Sequence, residues 1–109
     1  MSKLQYISVL NKEYFDNLKE YNQKEQQNAI KIALMMVKGF RDILDELNYN
    51  EEKLRNLQFS LDDNYEIVEN LYKSAKEQEN KKLIDELLTQ MAKLEMEIGD
   101  FILEHKHAS

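Results

Sequence analysis

Cysteine and proline are missing from this 109-residue chain, and glycine occurs only twice. Without cysteine there is no disulfide framework, no thiolate nucleophile and no zinc–cysteine site, which fits a reducing, cytoplasmic setting. Without proline, and with so little glycine, there is almost no material for tight turns or bulges. Few strand signals survive, so the chain reads as nearly all helix. Long apolar runs are scarce too. The longest, Ile32 to Val37, falls far short of the roughly 20 residues a membrane span needs. No basic stretch followed by an apolar one and a small-residue cleavage site marks a secretory leader.

Charge is plentiful but one-sided. The net charge is −6, and 33% of residues are charged against 42% apolar. That balance suits a folded soluble or coiled-coil-like chain and not a disordered one. Residues 1–48 hold seven basic and seven acidic side chains, whereas residues 49–109 hold eight and fourteen, so the second half supplies the whole imbalance. Phosphate is held by Lys and Arg, so nucleic acid and anionic membrane surfaces are poor partners for this chain. The rival feature, Lys3, Lys12 and Lys19 interspersed with Tyr6, Tyr14 and Tyr21, is explained by tyrosines at the edge of a core whose hydroxyls reach water.

Four segments carry helical spacing. The last, Leu83 to His105, organises the rest. Ile84, Leu87, Met91, Leu94, Ile98, Phe101 and His105 recur at alternating intervals of three and four, one per turn along a single stripe. Leu83, Leu88 and Ile102 widen that stripe beyond a two-stranded seam, as a multi-helix bundle requires. A second, thinner apolar line, Ala92, Met96, Gly99 and Leu103, lies roughly 150° around the same helix. Charged residues are the norm on such a face. Either another part of the chain, such as the N-terminal segment, covers this line, or it is a docking surface for a partner or a second copy.

Segment one, about residues 2–21, repeats Leu4, Ile7, Leu10, Tyr14, Leu18 and Tyr21. A polar gap at 22–28 follows, and Asn22 with Glu25 has capping-box spacing, which places a turn near 22–26. Segment two, about 25–48, is apolar past half its circumference through Ile32, Met35, Met36 and Ile43, the pattern of a helix in the middle of a bundle. Gly39 in this segment and Gly99 in segment four both fall mid-helix, which predicts that these two helices cross near them. Asn48 and Asn50 mark the mid-chain turn. Segment three, about 51–77, repeats Leu54, Leu57, Leu61, Tyr65, Val68 and Tyr72. Within it, capping spacings at 60–66 predict a kink or restart, and a helix start there explains the acidic run Asp62, Asp63, Glu66 and Glu69. The gap at 76–82 predicts a third turn, with Asn80 capping segment four.

These segments predict an all-α fold of one domain: an antiparallel four-helix bundle with helices near 2–21, 25–48, 51–77 and 81–106. The alternative is a long helical hairpin, hinged at 48–50, that dimerises to bury its faces. Chemistry is sparse. No serine sits in a Gly-x-Ser-x-Gly elbow, and there is no glycine-rich phosphate loop. Glu104 and His107 have the Glu-x-x-His spacing of di-iron bundles, but the second copy that such a site requires is missing. The expectation is therefore no enzyme, no cofactor and no metal. The reading is a protein-interaction module of adaptor, secretion-chaperone or inhibitor type that binds a helical segment of a partner through Ala92, Met96, Gly99 and Leu103. The alternative is a structural protein that self-assembles as a homodimer through the same line. Flagellar export chaperones and small phage-encoded inhibitors include bundles of this size, an analogy of fold alone because none of the chaperones' motifs is present.

Overall fold

The computed structural model describes residues 12–46 and 50–108, with side chains over 15–46 and 50–106. Every regular element among them is helical. Helix α1 (Lys12–Asn17) runs on into a 3₁₀ turn at Leu18–Glu20. Helix α2 (Gln23–Ile43) ends in a second 3₁₀ turn, Leu44–Glu46. Helices α3 (Glu51–Ser74) and α4 (Gln78–Ala108) complete the chain.

Local chemistry sets the starts. The Asn22 side chain accepts from the backbone N–H of Glu25 at 2.9 Å, and its amide donates back to the Glu25 carboxylate. Asn50 accepts from the N–H of Lys53 at 3.0 Å. Each satisfies a donor that the first helical turn leaves open. The backbone turns extended at Tyr21 and Asn22, and again at Ala75. Both polar gaps therefore bend, which removes the long-hairpin alternative. The turns are shorter than the gaps, because most polar residues of 22–28 and 76–82 belong to the first turns of α2 and α4. Asn80 is one of these and is not the cap of α4.

Helix α4 is the element on which α2 and α3 converge. At 31 residues and about 1.5 Å per residue it spans roughly 46 Å, nearly the full 49 Å long axis. Helices α2 and α3 each pack mainly on α4. Contacts from Gln27 to Asn80 and from Arg41 to Glu97 show that α2 and α4 run in the same direction. Those from Gln58 to Glu95 and from Glu51 to Lys106 show that α3 runs opposite to α4. Helix α1 lies against α3 near Ile67 and Leu71. The main stripe of α4 forms the centre of the core: Ile84, Leu87, Met91, Leu94, Ile98 and Phe101 are all buried.

Three expectations are corrected. Segment two is not the central helix: α2 buries one face, Ala29, Ile30, Ala33, Leu34, Val37 and Phe40, and leaves Ile32 and Met35 in solvent. The glycines do not mark a crossing of α2 on α4, because Gly99 faces Gln58 of α3. Helix α3 is continuous through 60–66, so no helix start there accounts for the acidic run. The readings that rest on Tyr6 and on the side chains of Tyr14 and His107 fall outside the described residues.

Candidate partner-binding surface

The second apolar line of α4 faces outward. Met96 is 70% exposed and Leu103 54%, while Ala92 and Gly99 are half-buried along the edge nearest α3. The described part of the N-terminal segment does not cover it, since α1 packs against α3 near Ile67 and Leu71. Helix α3 adds a residue that periodicity did not single out. Phe59 falls off the Leu54, Leu57, Leu61 rhythm, points away from the core and is 65% exposed. The antiparallel register set by Gln58 beside Gly99 and Glu51 beside Lys106 puts Phe59 at the level of Ile98, between Met96 and Leu103 along the axis. A large aromatic and two long aliphatic side chains thus stand along one side of the α3–α4 pair.

Gly99 faces Gln58 of α3 with little in the way. A β-carbon there would meet only the Gln58 amide nitrogen, at 3.2 Å. That nitrogen is the tip of a flexible side chain, held by one 3.3 Å bond to the Glu95 carbonyl. Gly99→Ala is therefore expected to raise stability by about 0.5 kcal/mol, the helix-propensity gain less the displaced contact. A higher midpoint in urea checks this, and a lower one would mean that Gln58 cannot move.

The floor between the helices carries a carboxyl pair. Glu95 of α4 stands opposite Asp62 of α3 in the antiparallel register; partial burial, then the neighbouring carboxyl, push Glu95 up to about 7. A carboxyl raised in the fold binds its proton more tightly there than in the unfolded chain. Its contribution is complete below the ordinary value of 4.5 and is lost as pH rises through about 7. Wild type should lose about 1 kcal/mol between pH 5 and 8 from this group, once solvent screening of a partly exposed site is counted. Glu95→Gln should abolish that difference. Urea titrations of both proteins at the two pH values measure it, and parallel pH profiles would refute the raised Glu95 carboxyl.

On the other flank of α4 the Arg41 guanidinium makes a bidentate pair with Glu97, with contacts from 2.6 to 3.1 Å, and also donates to Gln90. These line the α2–α4 edge with satisfied charge. A cleft of about 270 Å³ lies between α1 and α3, lined by Phe15, Lys19, Ile67, Asn70, Leu71 and Ser74. It is smaller than most small-molecule sites and gathers no set of reactive side chains. His105 donates through Nδ1 to the Phe101 carbonyl at 3.0 Å and packs its ring on Phe101, a helix-end contact and not a ligand geometry. Among the described residues no group of three or more His, Cys, Asp or Glu side chains is placed to hold a metal ion. No helix among them is long and apolar enough to cross a membrane. No protein-family model, curated protein or solved structure matches the chain.

Proposed function

We propose that this protein is a non-enzymatic binding module, of adaptor, secretion-chaperone or inhibitor type, that takes a helical segment of a partner protein along Ala92, Met96, Gly99 and Leu103. The scaffold in this reading is a four-helix bundle in which α1, beside α3, supplies the fourth position. The observation that carries the proposal is the exposure of Met96 and Leu103 on a helix whose opposite face is wholly buried. Burying two such side chains is worth roughly 1.5–3 kcal/mol each, enough to anchor a helix in a shallow groove.

The test is the double change Met96→Glu with Leu103→Glu. Because both side chains already stand in solvent, helicity by circular dichroism should be nearly unchanged. Partner capture, or dimerisation if the partner is a second copy, should fall at least about 100-fold, the equivalent of about 2.7 kcal/mol. Unfolding of the double variant would make these residues part of the core and sink the proposal. The homodimer reading rests on the same exposed line, and sedimentation across a concentration series separates the two.

A further inference from the structure

The charges around the exposed line favour one kind of occupant. Near Phe59 and Leu103 the available cations are already engaged, since Arg55 and Lys106 both reach the Glu51 carboxylate, at 3.3 and 3.1 Å. Their pull holds the Glu51 carboxyl below its ordinary value, Lys106 contributing most. Among the described residues, Asp62, Asp63, Glu66 and Asp100 have no such cation. Asp100 lies one turn from Met96, at the border with the cleft where Arg41 stands, and Asp62 lies one turn from Phe59 and faces Glu95. Lys93, one turn before Met96, is the opposing charge on this side of α4.

We propose, resting on the binding-module reading above, that the occupant is a basic amphipathic helix of another protein, with its apolar side on Phe59, Met96 and Leu103 and a Lys or Arg between Asp62 and Glu95. Two further features fit. A second copy of this chain would lay acidic surface on acidic surface, which repels across a surface the size of one helix face. A cation entering between the helices supplies the counter-charge that the carboxyl pair lacks, and it would be partly desolvated there, where a charge pair is worth more than in open water.

Three synthetic helical peptides of about 18 residues test this. One carries a leucine stripe backed by lysine, one the same stripe backed by glutamate, and one is a scramble of the first. Fluorescence anisotropy at physiological salt should show the leucine–lysine helix binding at least tenfold tighter than either other peptide. Asp62→Asn with Glu95→Gln should weaken it at least tenfold while circular dichroism stays unchanged. Met96→Ser with Leu103→Ser should weaken it as much. Equal binding of the lysine- and glutamate-backed helices would overturn the basic preference and leave the docking reading standing. Equal binding of the scramble would reduce the effect to unspecific attraction and overturn the proposal. Absence of binding by all three, with the chain monomeric throughout a sedimentation series, would overturn both readings. A dimer that Met96→Ser with Leu103→Ser dissolves would assign the surface to a second copy instead.

Discussion

Ile98→Ala is expected to lower the stability of the fold by about 3–4 kcal/mol, toward the upper part of the range for large-to-small changes in a core. The side chain is wholly buried in the second half of α4, on the helix against which α2 and α3 both pack. How far a cavity costs depends on whether its walls can close in, and here they are held. Next to Ile98, Gly99 lies against Gln58 of α3, and Glu97 is clamped by Arg41 of α2. Domains of this size keep about 5–15 kcal/mol in hand, so one such change removes a large share. Urea denaturation with an unchanged slope would measure it as a shifted midpoint. A loss under about 1 kcal/mol would mean that α4 is not the core's centre. Met96→Ala, two residues away on the exposed side, should cost less than about 0.5 kcal/mol.

Asn80→Ala should cost about 2–3 kcal/mol, more than its position on a first helical turn suggests. Asn80 is 2% exposed, accepts from the Gln27 amide at 2.6 Å and donates to Gln26 Oε1 at 3.1 Å. Gln26 in turn donates to the carbonyl of Leu18 at 3.0 Å. Removing the Asn80 amide leaves a donor and an acceptor of α2 unpaired in a part-buried place, and an unmade buried hydrogen bond costs more than a made one contributes. The check is a double-mutant cycle with Gln27→Ala. If the network is real, the paired loss falls short of the sum of the single losses by at least about 0.5 kcal/mol. Strict additivity would show that the two amides do not act together.

Asn80 also shows where periodicity stops being informative. The residue type and the polar gap before it fit a helix cap, and nothing within a few residues reveals that its partners lie on α2. The acidic run at 62–69 misled for the same reason. Local spacing imitates a helix start, while what constrains Asp62 is Glu95 across the helix pair. By contrast, the core stripe from Ile84 to Phe101 was fully legible, because burial on one face imposes a spacing that the chain displays. So was the existence of a second line at Ala92, Met96, Gly99 and Leu103. Whether anything packs over that line was not, since spacing fixes an angle around one helix and not the position of its neighbours. Phe59 went unread because a single residue off the rhythm has no period. The breadth of apolar residues on α2 pointed the wrong way, with Met35 standing 72% exposed.

The dependence of both α2 and α3 on α4 has a consequence for how the chain comes into being. As it leaves the ribosome, residues 12–74 emerge with their largest apolar faces unmatched, because the rod against which those faces close has yet to be translated. Cooperative folding must then wait until residues 78–108 are clear of the exit tunnel. In the interval the nascent polypeptide is a natural client for whatever shields greasy segments in its cell.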